Sequence, residues 1–376
     1  MATRIDLSDY QFFPLAVLDS TGARLAVSEL PVVRLFDTST GNTIEEFRWI
    51  EGDPESDEAP TRLARDGDED DEDDYEDEDY EEELYESVGI PVLIDFSPDG
   101  RHFFVACSHH SGSMGSNDCY LFDVTRAGAP LRFVSIEKAM RDHKLATRDS
   151  NYNDPAAVAF TPDGGDVVVV GSFGALFFSV FDANKTRSLA LPDARNKNGT
   201  TYAGRDCTAI AFREQRGALS WCDSLWLFDR DELERVRELR APGATRLGQF
   251  LAFRDDDTLV VTSSEYVDGD EQQRDVHTVD LRTNEWTSMR MPATVRWLAR
   301  DGRTALCSHN SGHDLVRVDL VTGEAATIPR AKSGGKKPSR LLSISADGST
   351  IARTFGGLEL GLDAKSAVIT RRVKKG

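Results

Sequence analysis

The sequence predicts an all-β chain in which small antiparallel sheets repeat around an axis, a single seven-bladed β-propeller, and three observations predict it. First, a pair made of an apolar residue and Asp recurs seven times: Phe36-Asp37, Phe122-Asp123, Phe181-Asp182, Phe228-Asp229, Val279-Asp280, Val318-Asp319 and Leu362-Asp363. Second, a tight turn precedes each pair. Third, an apolar run that ends near a hydroxyl residue lies between turn and pair.

The Asp residues are 86, 59, 47, 51, 39 and 44 positions apart, and the longest interval contains an acidic stretch without which it matches the others. The turns include Ser97-Pro98-Asp99-Gly100, Thr161-Pro162-Asp163-Gly164, Arg300-Asp301-Gly302 and Ala346-Asp347-Gly348. Asp-Gly turns join tight antiparallel strands, because Gly takes positive φ without steric cost. The third copy shows a complete unit, with strands over 157–160, 166–171, 176–181 and 187–191. Four short strands make a sheet that exposes two apolar faces, so each needs a neighbour on both sides and the ring must close.

The units run over about 13–49, 91–135, 155–192, 207–240, 248–290, 294–329 and 340–373. The last has its own fourth strand at 367–373, which leaves Arg4 to Leu7 to add an edge or lie across the joint. Asp37, Asp123, Asp182, Asp229, Asp280, Asp319 and Asp363 are read as structural, each capping a strand-to-turn transition by accepting local amide hydrogen bonds. Residues 137–145 and 231–239 have short helical spacing, the second doubling as an exposed turn or strand edge.

The recurrent apolar-Asp pair with its Ser-Pro-Asp-Gly type of turn resembles the WD40 and YVTN-like propeller superfamily, over almost the whole chain from Phe13 to Val373. Two departures stand out. There is no Trp-Asp dipeptide and no Gly-His ahead of the first strand, and Phe or an aliphatic residue takes the Trp place. Within that superfamily the resemblance implies a platform for protein partners, although some seven-bladed propellers are lactonases or quinone-dependent dehydrogenases.

Charge separates the chain into two parts. Of 65 acidic residues, 21 lie between Glu51 and Glu86 with only Arg62 and Arg65, leaving 44 acidic against 42 basic elsewhere. The body is therefore close to neutral. A segment so charged and so poor in aliphatic residues cannot bury enough apolar surface to order itself, so 51–86 is expected to be a disordered, low-complexity loop between the first two blades. Asp70, Asp74, Tyr75, Tyr80, Glu82 and Tyr85 mark its pattern of acids interrupted by aromatic rings, which suits a basic protein partner or a purely solubilising role. Masking of a basic patch on the same ring ranks next, and weak calcium binding after it. The spacing of Asp66-Gly67-Asp68-Glu69-Asp70 lacks the terminal Glu of an EF-hand loop. Its sign excludes direct binding of nucleic acid.

Candidate chemistry is sparse. Cys107-Ser108-His109-His110-Ser111-Gly112 is echoed by Cys307-Ser308-His309-Asn310-Ser311-Gly312-His313, both at the end of a second strand. Alternation places Cys107 with His109 and Cys307 with His309, two metal-ligand types per copy, but a structural zinc site needs four. The two copies read as descendants of one repeat, with Cys in the packed layer and His109, His110, His309 and His313 on a ligand or partner face. No metal site, cofactor motif, nucleophile elbow or phosphate loop is expected. A hydrolase centred on the channel mouth is the alternative function.

Five Cys without a CxxC pair suit reduced thiols in a cytoplasm. The start of the chain shows no basic-then-apolar signal pattern, and no run reaches the ~18 uncharged apolar residues of a membrane helix. The expectation is a cytoplasmic, monomeric, non-catalytic propeller that binds protein partners away from any membrane.

Overall fold

The computed structural model describes residues 3–6, 15–29, 32–48, 90–108, 118–126, 130–145, 155–171, 173–182, 184–190, 207–233, 235–244, 246–267, 270–308, 315–328, 338–345, 350–355, 359–364 and 371–372. After β1 (Thr3–Asp6), the strands come in groups of four. β2 (Leu15–Leu18), β3 (Arg24–Glu29), β4 (Val32–Asp37) and β5 (Thr43–Arg48) form one sheet. β6 (Ile90–Phe96), β7 (His102–Ser108), β8 (Asp118–Asp123) and β9 (Arg132–Ser135) form the next, and helix α1 (Ile136–Asp142) follows directly.

β10 (Ala157–Phe160), β11 (Asp166–Gly171), β12 (Gly174–Ser179) and β13 (Thr186–Leu189) continue the series, then β14 (Cys207–Arg213), β15 (Arg216–Trp221), β16 (Ser224–Asp229) and β17 (Arg235–Arg240). β18 (Leu247–Asp255), β19 (Thr258–Val267), β20 (Asp270–Asp280) and β21 (Trp286–Arg290) precede β22 (Thr294–Leu298), β23 (Thr304–Ser308), β24 (Leu315–Asp319) and β25 (Glu324–Ile328). The last group is β26 (Pro338–Ile344), β27 (Thr350–Phe355) and β28 (Glu359–Ala364), and β29 (Arg371–Arg372) follows.

All pairings within the sheets are antiparallel, and the core lies between sheets. Phe47 of β5 packs edge-on against Phe103 and Phe122 of the following sheet at 5.0 and 5.7 Å, while those two stack at 4.8 Å. Phe177, Phe212 and Phe228 form a second trio between the β10–β13 and β14–β17 sheets, here with all three pairs edge-to-face at 6.1–6.2 Å. Each fully buried Phe contributes about 1.5–3 kcal/mol, and each edge-to-face pair about 0.5–1.5 more. The ring is carried round by Leu306 and Leu315 against Ile344 and Ile351, and by Ile5 and Ala352 against Leu18, Leu25 and Val27.

The closing sheet departs from expectation. Its fourth strand is β1, not 367–373, with Thr3 opposite Leu362 and Asp6 opposite Glu359. A ring fastened by its first strand opens only when that whole ladder breaks. Of the stretch assigned to the fourth strand, Arg371 and Arg372 pair instead with Ala325 and Glu324 of β25. The expected set of seven four-stranded sheets is thereby corrected: six are four-stranded, and the one containing β22 to β25 has five strands.

Register also moves two of the repeat marks. His102 lies opposite Asp123 and Arg216 opposite Asp229, but Asp166 lies opposite Ser179. Phe178-Ser179 thus occupies the place of Phe122-Asp123, and Phe181-Asp182 falls three residues later. Val180 is buried there and Phe181 is 78% exposed. In the last sheet Thr350 faces Ala364, so Asp363 is one residue early. Within 231–239 the helical spacing gives way to an outer strand: β17 pairs with β16, Leu225 opposite Leu239, because Leu239 joins the inter-sheet core. The other short helix forms at Ile136–Asp142, where Ser135 caps the amide of Lys138 and Ile136, Ala139 and Met140 are buried.

Candidate functional site

Antiparallel order gives the ring two unlike faces. One carries the turns between first and second and between third and fourth strands. The other carries the ends of second strands, the starts of third strands and the connections between sheets, including residues 49–89 between Arg48 and Ile90.

Towards this second face, β7 and β23 carry Cys107 and Cys307, both fully buried, though not at the same register: Cys107 lies five residues beyond His102, opposite Asp123, and Cys307 three beyond Thr304, opposite Asp319. Burial raises the thiols of Cys107 and Cys119, and pushes that of Cys307 up to about 12. Such thiols are packing groups and not nucleophiles. His109, His110, His309 and His313 lie outside the described residues, as do Asp70, Asp74, Tyr75, Tyr80, Glu82 and Tyr85. Among the described residues no group of three or more His, Cys, Asp or Glu is placed to hold a metal ion.

The same face is raised at one point. β19 and β20, of 10 and 11 residues, run longer than their counterparts and pair from Thr258 opposite Asp280 out to Val267 opposite Asp270. Arg290 braces this hairpin by ion pairs to Glu265 at 2.5 Å and Asp275 at 2.8 Å. Beneath it the buried Gln273 accepts from the hydroxyl of the buried Thr262 at 2.8 Å and from the amide of Gln249 at 3.3 Å, which pairs these three groups. The hairpin escapes sequence reading because nothing in its composition separates it from ordinary strands.

The turn face is a lattice of fixed polar contacts. Asp37, Asp229, Asp280 and Asp319 each accept two amides of the following turn at 2.8–3.0 Å, as Asp37 does from Ser39 and Thr40. Asp123 accepts from the amide and hydroxyl of Thr125, and Asp182 from the amide of Asn184. These bonds hold the carboxyls of Asp37, Asp123, Asp280 and Asp319 below the usual range, against the opposing effect of burial, which is largest for Asp123 and Asp319.

Arginines then tie four of the sheets to the next. Arg132 donates to the carbonyls of Ser179 and Asp182, Arg187 to those of Arg230 and Asp231, Arg237 to that of Leu281, and Arg254 to those of Gly302 and Leu320. Every acceptor belongs to a turn of the following sheet, so the bonds run in one sense round the ring. A guanidinium presents several donors in a fixed fork, which suits turn carbonyls that diverge. The sequence carries the signal as an Arg within three of the outer strands.

At the axis stands a contact no motif announces. Asp95, on the inner strand β6, meets Arg300, in the turn after β22, at 3.3 Å. β6 packs against β2 and β10, and β22 against β18 and β20, so the pair reaches across the channel. The Asp95 carboxylate also accepts from the backbone of Phe96 and of Phe160 in the adjoining sheet, and burial, outweighing Arg300, raises its pKa. Ser343 accepts from the amide of Leu18 at 2.9 Å in the corresponding way. An Asp near the end of the otherwise apolar Ile90–Phe96 is the signal that was available. One aspartate and one arginine, joined across the sheets, make a structural clasp.

The architecture is that of a β-propeller, similar in fold to WD40 domains. Among solved structures, the C-terminal WD40 domain of Sif2 aligns with a TM-score of 0.54 and 11% identity, over 97% of this chain and 99% of that one. A chain of the mitotic checkpoint complex aligns with a TM-score of 0.56 and 12% identity, over 96% and 93%. No protein-family model matches the sequence, and no curated protein matches it. No helix among the described residues is long and apolar enough to cross a membrane.

Proposed function

We propose that this propeller is a non-catalytic platform for protein partners, and that the acidic connection 51–86 recruits a basic surface to the face from which it springs. The observation that carries the reading is the concentration of charge: 21 acids in a single connection tethered between Arg48 and Ile90, on a ring otherwise near neutrality. A dense anionic segment accelerates encounter with a cationic partner and lends affinity that salt screens. Tyr75, Tyr80 and Tyr85 add rings able to stack on Lys and Arg side chains. The braced hairpin of β19 and β20 stands on the same face and adds relief to it.

The test is capture of partners from extract by the full chain and by a chain lacking 54–86, each at about 50 mM and about 500 mM salt. Basic proteins retained by the full chain at low salt and lost on deletion support recruitment. Identical recovery by the two chains refutes it.

A further inference from the structure

The five-stranded sheet exposes how the ring treats its outer edges. Every fourth strand presents unpaired backbone groups outward, which invite pairing with another chain unless charge or shortness discourages it. β5 carries Glu45, Glu46 and Arg48, and β17 carries Arg235, Arg237, Glu238 and Arg240. β9 and β13 have only four residues each, and β21 ends on the braced Arg290. β25 has little such protection, reading Glu-Ala-Ala-Thr-Ile, with its one charge at the first position and Thr327 exposed. It is also the edge that carries an added strand, β29, with Glu324 opposite Arg372.

We propose that the outer edge of β25 is a strand-addition site, occupied in cis by β29 of this same chain. The surrounding segment 365–376 reads Lys-Ser-Ala-Val-Ile-Thr-Arg-Arg-Val-Lys-Lys-Gly, in which Val, Ile and Thr favour extended backbone and five cations suit an edge whose single charge is Glu324. Main-chain bonds supply the affinity, and the charge pairing supplies direction. The partner this edge fits is thus an extended, basic, β-branched peptide. Any such peptide must displace a tethered competitor, whose effective concentration is in the millimolar range.

The probe is a fluorescent peptide of sequence 365–376, titrated by anisotropy. A chain lacking 365–376 is expected to bind it at least about tenfold more tightly than the full chain, whose edge is filled. Glu324→Lys in the shortened chain is expected to weaken binding at least about tenfold. A full-length chain with Arg371→Glu and Arg372→Glu supplies the check if the shortened one fails to fold: its edge is vacated, so it too binds the peptide. Equal binding by the full and vacated chains overturns the proposal. So does binding indifferent to Glu324→Lys, or a shortened chain that takes no peptide and sediments as a dimer, which would give the edge to a second copy.

Discussion

Arg187→Ala is expected to loosen one joint of the ring without touching its core. In the intact protein the Arg187 guanidinium donates at 3.0 and 2.9 Å to the carbonyls of Arg230 and Asp231, and pairs with Asp166 at 2.6 Å. It also lies 5.4 Å from the centroid of the buried Phe177 ring. Charge-assisted bonds to carbonyls contribute about 1.5 kcal/mol each at the lower end, and the ring contact about 0.5. The ion pair, with its Arg 25% exposed, adds about 0.5 after screening. The carbonyls lie on a turn that water can reach once the side chain is gone, so the net loss is about 2–3 kcal/mol. Lysine keeps the charge but cannot serve three diverging acceptors, and Arg187→Lys should lose about half as much. Urea unfolding followed by the fluorescence of Trp221 and Trp226, in the adjoining sheet, reads the change as a shift in midpoint at constant slope. An Arg187→Ala chain within about 0.5 kcal/mol of the parent would refute the reasoning, placing this arginine among ordinary surface residues.

Asp95→Ala should cost more than Arg300→Gln, about 1–3 kcal/mol against about 0.5, because Asp95 also satisfies the Phe160 amide, whereas Arg300 is half exposed; the same urea titration separates them. Gly217→Ala should cost about 1–3 kcal/mol or more by calorimetry, since an added methyl group would fall on the buried Phe228 ring. His277 is buried, bonds Ser288 at 2.7 Å through Nδ1, and has its pKa lowered by burial against the pull of Asp275. A group with a depressed folded-state pKa leaves stability intact above its unfolded value. Stability should therefore fall as pH drops below about 6.5, and His277→Gln should flatten that part of the curve.

The sheets were legible because their signals are local. Alternation, Asp-Gly turns and apolar-Asp pairs are each set by residues within ten positions, and Asp37, Asp123, Asp229, Asp280 and Asp319 stand at equivalent register positions. The third copy misled because Phe181-Asp182 imitates the pair after the strand has ended at Ser179, where Val180 fills the core and leaves Phe181 outside. Ring closure was beyond local reading, since β1 and β28 are joined from opposite ends of the sequence and either end could have filled the place. The same holds for the contact of Asp95 with Arg300, 205 residues apart. The arginine ties illustrate a middle case: Arg132, Arg187 and Arg237 recur on outer strands, yet their acceptors are backbone carbonyls, which sequence does not distinguish.

Recruitment through the acidic connection is tested most directly by charge alone. Replacing every Asp and Glu of residues 66–83 with Asn and Gln, while keeping Tyr75 and Tyr80, preserves length and aromatic content. Titration with a lysine-rich peptide, repeated from about 50 to about 500 mM salt, should then give affinity at least about tenfold below that of the parent at the lowest salt, with the salt dependence largely gone. Affinity and salt dependence equal to the parent's would contradict the account and leave the acidic connection with no part in binding.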